Sequence, residues 1–394
     1  MHVAVLAPPL HGHVTPTLGV VQQLTSRGHR VSFLSSEEFA PALQAVGARV
    51  VPVPAIPQRT ISATGTTGSA LASIRNLLLA RDCRTVTTAV KAFGDDRPDV
   101  VLYNFVERFA GRTLARYWGG RAARYFPTYA ITDALPLAEV FPASGNQQSG
   151  PASPESRNKA AAVQRSLGLP VEESSYDLLA EEELNLVFLP SAFQPHSEAL
   201  GSGYHFVGPI MTGRSSHGSW TPPHSGRPVL YVSLGTLRVS SPDFFREALA
   251  AFAEEDLHLV MSIGTVIDPA DLGPLPPHCE VHAHLPQLEV LRHTSVFVTH
   301  GGMNSTMEAL TLGVPLVVVP QMPEQEATAR RVADLGLGVH LPPAKVTPET
   351  LRAAVRQIRD DLTYADAAAA FGSRAGDGGG APAVADALES LVAS

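Results

Sequence analysis

Cysteine is scarce in this chain of 394 residues: Cys83 and Cys279 are the only two, far apart in sequence. That excludes a disulfide framework and any cysteine-based zinc site, and a reducing cytoplasm is the simplest expected compartment. Runs of basic residues are also missing. Lys and Arg total 29 against 37 Asp and Glu, for a net charge of −8 and a pI near 6.0. No stretch gathers five or more cations, so neither nucleic acid nor an anionic membrane is an expected partner. Long apolar runs are absent too. The opening Met1-His2-Val3-Ala4-Val5-Leu6-Ala7 has no basic flank, and Pro8-Pro9 interrupts it far short of a membrane span, so it reads as a buried strand. Three sequence signatures are likewise missing: the dinucleotide fingerprint G-x-G-x-x-G, the phosphate loop G-x-x-x-x-G-K-[ST] and any Asp-x-Asp. Ordinary NAD enzymes and kinases recede, and no bound metal is expected.

What the chain does contain is apolar material for sizeable cores: 44% hydrophobic residues, 17% charged, mean hydropathy +0.07. Its length exceeds what one core usually serves, which predicts two domains. The runs Val3–Pro8, Arg30–Ser36, Ala48–Pro54, Asp99–Phe105 and Ala122–Tyr129 alternate with helical periodicity over Thr15–Gly28, Glu37–Gly47, Ile74–Phe93 and Arg108–Gly119. A second βαβ series starts at Pro228–Thr236. The expected class is α/β with two doubly wound parallel sheets. The boundaries are 1–207 for the first domain, 208–227 for a linker, 228–375 for the second domain and 376–394 for a tail. The tail helix, Pro382–Val392, has the option of docking on either domain. The stretch Asp133–Lys159 shows no apolar period and reads as a long loop.

In such sheets, ligands bind where strands end and helices begin. Three clusters sit there. His11-Gly12-His13-Val14-Thr15-Pro16 follows the first strand, with Thr15 as a candidate N-cap. The helix dipole would keep His13 neutral and able to accept a proton, although either histidine also has the option of bonding only to the turn. Ser233-Leu234-Gly235-Thr236 closes the strand that opens the second domain, where a glycine lets backbone amides approach an anion. Thr299-His300-Gly301-Gly302-Met303-Asn304-Ser305-Thr306-Met307-Glu308 combines a strand end, two glycines and a helix start, as a phosphate site does. The same residues fit the capping box Ser305-x-x-Glu308, and local spacing does not choose between the two.

His284-Leu285-Pro286-Gln287 precedes the third cluster, and Pro320-Gln321-Met322-Pro323-Glu324-Gln325 follows it. The whole run from His284 to Val332 resembles the signature of family 1 nucleotide-sugar glycosyltransferases, especially bacterial enzymes of the macrolide and flavonoid type. His-Gly-His-x-x-Pro near the start and Ser-Leu-Gly-Thr also match, so the resemblance spans nearly the whole chain. It implies the GT-B arrangement: two Rossmann-like domains facing across a cleft, with the closing helix crossing back to the first. It implies that His284 stacks on the base, where tryptophan is usual, with Leu285 and Gln287 contacting base and ribose. It also implies that His300, Gly302, Asn304, Ser305, Ser233, Gly235 and Thr236 hold the diphosphate, that Glu308 binds ribose, and that Glu324 and Gln325 hold the sugar.

By the same resemblance, His13 is the general base for an inverting, metal-independent transfer of a hexose, with glucose expected, from a UDP-sugar (or a dTDP-sugar) to a small aromatic or macrolide acceptor. No other cofactor is implied; the oligomeric state is left open, as are O- against C-glycosylation and a non-catalytic binding role. One departure stands out: Asn104 occupies the position where the family usually places an Asp that orients the base. In a serine-protease triad that swap lowers turnover about ten-thousand-fold through the wrong imidazole tautomer. Glu107 and Asp133 are candidate substitutes.

Overall fold

A computed structural model of the protein describes residues 1–54, 68–132, 135, 152–176, 180–213, 219–235 and 242–394. The chain divides into two units, Met1–Ser215 with Asp377–Ser394, and Ser216–Gly376. Both are parallel sheets with helical crossovers, as the alternation of elements implies.

The first unit carries β1 (His2–Leu6), β2 (Arg30–Ser35), β3 (Arg49–Pro52), β4 (Val100–Asn104), β5 (Arg121–Phe126), β6 (Leu184–Val187) and β7 (Tyr204–Phe206). They lie in the order β3-β2-β1-β4-β5-β6-β7. Every residue of β1 and β4 is buried. This explains their unbroken apolar runs, because strands covered on both faces have no solvent side to alternate with. The connecting helices are α1 (His11–Val14), α2 (Leu18–Ser26), α3 (Ala40–Ala45), α4 (Gly68–Phe93), α5 (Arg108–Trp118) and α6 (Pro154–Ser166).

The second unit orders its strands β10-β9-β8-β11-β12-β13. These are β8 (Val229–Ser233), β9 (His258–Ser262), β10 (Cys279–His282), β11 (Thr294–Thr299), β12 (Leu316–Val318) and β13 (Gly338–His340), joined by α7 (Asp243–Phe252), α8 (Gln287–Leu291), α9 (Met303–Thr311), α10 (Pro323–Asp334), α11 (Pro348–Asp360) and α12 (Leu362–Ala375). Among the described residues no helix is long and apolar enough to cross a membrane.

The closing helix α13 (Gly380–Ala393) packs on the first unit. Its Ala381, Val384, Ala385, Leu388 and Leu391 share one core with Val3 and Val5 of β1 and Val20, Val21 and Leu24 of α2. Arg27 pairs with Asp386 at 2.6 Å and Glu389 at 3.0 Å, and His29 Nε2 meets Glu389 at 2.7 Å.

One sequence reading needs correction. The stretch read as a loop to Lys159 ends earlier: Ser153 caps α6 by accepting from the Ser156 N–H at 3.2 Å, Pro154 starts it, and Glu155 pairs with Lys159 one turn on. The span 201–227, whose sequence shows almost no hydrophobic period, contains the three-residue edge strand β7, too short to show one.

Leu388 is fully buried in the core that the tail completes. Replacing it with Ala should lower the unfolding free energy by about 3 kcal/mol, read as a lower urea midpoint.

Candidate active site

In both sheets the strand order reverses once, between β1 and β4 and between β8 and β11. Crossovers leave in opposite directions there, so the carboxyl ends of those strands lie uncovered. His13 follows β1 and Asn104 ends β4, Ser233 ends β8 with Gly235 after it, and His300 and Gly302 follow β11, whereas His284, Leu285 and Gln287 follow β10 and Glu324 and Gln325 follow β12.

In the first unit, β1 leads through Pro8-Pro9 into the short turn of helix α1, which holds His13. Thr15 is not its N-cap. The turn begins at His11 after Leu10, and Thr15–Thr17 continues as a tight 3-10 turn into α2. His11 points outward: it is exposed, lies edge-on to Phe39 and sits 3.8 Å from Glu38. His13 turns inward, stacked over Phe105 with ring centroids 6.3 Å apart.

Its Nδ1 is buried, and burial lowers its pKa to about 4, with the Asn104 side chain opposing and the charge of Arg81 assisting. The imidazole is therefore neutral as expected, but through desolvation rather than the dipole of a helix start. Asn104, fully buried at the end of β4, accepts from the Val106 N–H at 3.3 Å. Glu107 does not take the place of the missing Asp: it is buried and pairs directly with Arg81. Asp133 lies outside the described residues.

Beneath this site sits a charged cluster that spacing did not single out. Arg81 and Asp82 lie on α4 and Glu107 follows β4, all three buried. Asp82 accepts from the Ala110 N–H at 3.2 Å, and burial together with Glu107 pushes its carboxyl well above the usual range. Tyr125 was missed as well. A tyrosine inside a strand looks like core, and only its register, Asn104 opposite Tyr125, reveals a neighbour of the site.

In the second unit, Ser233 and Thr299 are register partners, so the Ser233–Gly235 and His300–Gly302 turns leave adjacent strand ends side by side. The His300 ring lies between them. A Cβ at Gly235 would stand 2.6 Å from its Cε1, and one at Gly302 would stand 2.4 Å from its Nε2. Here the glycines make room for an imidazole; Gly235 also holds φ at +72°. Burial lowers the His300 pKa to about 4 against a hydrogen bond to the Ser233 backbone.

The capping-box reading fails: α9 starts after Gly302, which has no side chain to cap with, and Ser305 lies inside the helix. Ser305 and Glu308 instead converge on Gln287, whose Nε2 donates to Ser305 Oγ at 3.0 Å and to Glu308 Oε2 at 2.6 Å. His284 is exposed and Leu285 is half-buried. Asn304 lies in the first turn of α9. Glu324 and Gln325 open α10 after β12. Gln325 is buried, and its Oε1 accepts from the Gln321 N–H at 2.8 Å, so it shapes the turn and is no solvated helix start. Thr236 lies outside the described residues. Among the described residues no group of three His, Cys, Asp or Glu is set to hold a metal ion.

Residues 246–391 match the family of erythromycin biosynthesis protein CIII-like C-terminal domains. Over its full length the chain is 35% identical to the NDP-glycosyltransferase YjiC of Bacillus licheniformis, covering 98% of it. It is 34% identical to the demethyllactenocin mycarosyltransferase of Streptomyces fradiae, across 99% of this chain and 86% of that one. The solved structure of the calicheamicin glycosyltransferase CalG4 superimposes with a TM-score of 0.86 at 32% identity, covering 100% of this chain and 98% of that one.

Two outcomes check this geometry. Gly302→Ala should displace the His300 ring, read as a shift of the His300 side-chain ¹H–¹⁵N signals, identified by their loss in His300→Gln. His300 titrates near 4 when folded and near 6.5 when unfolded, so the unfolded chain binds more protons between those values and stability falls as pH drops through that window. His300→Gln should remove one histidine's share of that slope in urea unfolding measured from pH 7 to pH 4, leaving the share of His13.

Proposed function

The chain belongs to the family 1 GT-B glycosyltransferases of bacterial natural products, and on that footing we propose that it moves a hexose, glucose first, from a UDP-sugar to a hydroxyl of a small aromatic or macrolide-type acceptor. In this reading the reaction inverts the anomeric centre, needs no metal or further cofactor, and takes place in a reducing cytoplasm, which suits the free thiols of Cys83 and Cys279.

The observation that carries the reading is the convergence of Gln287, Ser305 and Glu308 beside the His300 strand end. Glu308 offers a carboxylate to ribose hydroxyls, Gln287 and the exposed His284 face the base, and the backbone N–H groups at the start of α9 meet the diphosphate. His300, Ser233, Gly235, Asn304 and the Gly302 backbone complete the diphosphate contacts. Thr236 joins them by resemblance. Glu324 and the side-chain amide N–H groups of Gln325 hold the sugar. As the bond to the anomeric carbon breaks, charge grows on the departing diphosphate, and donors already aligned toward it lower the barrier.

His13 accepts the proton of the acceptor hydroxyl, which attacks the anomeric carbon from the face opposite the leaving group. A base with a pKa of about 4 is fully available at neutral pH yet weak. It suits a phenol better than an alkyl alcohol, since the more acidic hydroxyl asks less of its base. This favours the aromatic branch of the acceptor class.

Incubation with UDP-glucose and a panel of phenols, flavonoids and macrolides in EDTA, followed by mass spectrometry, should give glycosylated phenols. No product with any UDP- or dTDP-sugar, although UDP binds, would overturn the reading in favour of a binding role. Asn104→Asp places a charge beside the imidazole and should raise kcat on alkyl alcohols about tenfold. An unchanged rate in steady-state assays would remove Asn104 from the machinery.

A further inference from the structure

An amide beside a catalytic histidine has a problem that a carboxylate does not. Both oxygens of Asp accept, so either orientation holds an Nδ1–H; Asn accepts on one side only, and a flipped amide drives the proton to Nε2, disarming the base. The surroundings of Asn104 resolve this. Tyr125 Oη donates to the His13 backbone carbonyl at 3.3 Å. A carbonyl has no proton to give, so the phenol hydrogen is committed there and the phenol oxygen has only lone pairs left to offer.

Asn104 stands opposite Tyr125 in the parallel register of β4 and β5, and its side chain adjoins both the phenol and the His13 ring. Its Oδ1 already accepts from the Val106 N–H. Flipping the amide would set NH2 against that N–H, replacing an attractive contact with a repulsive one, and would turn a carbonyl oxygen toward the phenol lone pairs. Tyr125 and Asn104 are both fully buried, so water does not relieve either contact.

We propose that Tyr125 is a positioning residue that fixes the Asn104 amide with its oxygen toward His13, so that an amide holds the imidazole in the Nδ1–H tautomer and leaves Nε2 as the base. The two groups this leaves to be joined, His13 Nδ1 and Asn104 Nδ2, are both among the buried polar atoms that stop short of a closed bond. The first then donates to Oδ1 and the second to Tyr125 Oη. Burial raises the Tyr125 pKa far above the ordinary value, so the hydroxyl keeps its proton at every working pH.

The proposal rests on His13 as the base, but the tautomer is measurable without turnover. Long-range ¹H–¹⁵N correlation spectra of labelled protein, with the His13 signals identified by their loss in His13→Gln, should show Nδ1–H in the unmodified protein. Tyr125→Phe keeps the ring stacked on Phe188, 5.2 Å away, and removes only the hydroxyl. It should raise the Nε2–H population, and Tyr125→Phe with Asn104→Asp should restore Nδ1–H. Where an acceptor is in hand, Tyr125→Phe should lower kcat about three- to tenfold at unchanged KM for the nucleotide sugar, and have no effect in the Asn104→Asp background. Nε2–H in the unmodified protein, or a tautomer indifferent to the Tyr125 hydroxyl, overturns the proposal. Absence of any sugar transfer, with the tautomer responding as described, would count against His13 as a base and leave the assignment of Tyr125 standing.

Discussion

Everything chemical in this protein depends on one topological constraint. A parallel strand connected through a helix returns with a right-handed crossover, so the direction in which the chain winds decides which face the helix covers. Where winding changes direction, at β1/β4 and at β8/β11, the helices part to opposite faces and the strand ends stand open. His13 and Asn104 occupy one of those openings; Ser233, Gly235, His300 and Gly302 occupy the other. The same short list of residue types, a histidine with a turn or glycines around it, recurs at both because the two openings make the same demand: polar groups on rigid strand ends, surrounded by buried backbone.

That rigidity has an electrostatic cost, most visible beneath His13. Arg81, Asp82 and Glu107 are removed from water together, and such clusters hold only because each charge faces another or is neutralised. The raised carboxyl of Asp82 shows the second route in use. Their arrangement bears on the base above them. The positive Arg81 acts on His13 in the same direction as burial, so the imidazole stays uncharged and its lone pair stays free. A pair of glycines does the equivalent for His300 by steric means, admitting the ring where any side chain would expel it.

The parts of this picture that were legible in the sequence share a cause. Strands buried on both faces are apolar at successive positions, so β1, β4, β8 and the later part of β11 announce themselves, and the turns that follow them can be located to within a residue or two. What failed was local grammar read without its partners. Ser305-x-x-Glu308 has the letters of a capping box, yet the helix starts earlier and both side chains face Gln287, a residue about twenty positions away. Thr15 resembles a cap but sits mid-turn because the turn begins at His11. Gln325 resembles a solvent-facing helix start but is folded onto its own loop. Tyr125 carries no local signal at all: its meaning comes only from lying across from Asn104 on the neighbouring strand. Short elements such as β7 and β13, three residues each, fall below the length at which periodicity exists.

The docking of α13 has a consequence for how the protein is made. The core that contains β1 also contains Val384, Leu388 and Leu391, so the unit whose synthesis begins first cannot close its hydrophobic interior until α13 has left the ribosome. The intervening unit, Ser216–Gly376, needs no such late contribution and is free to fold while the earlier strands wait. Nascent chains of this protein therefore pass through a period in which one apolar face around α2 is uncovered. Chaperone occupancy during translation should concentrate in that interval, and a stalled ribosome short of α13 would hold a second unit already complete beside a first unit that is not.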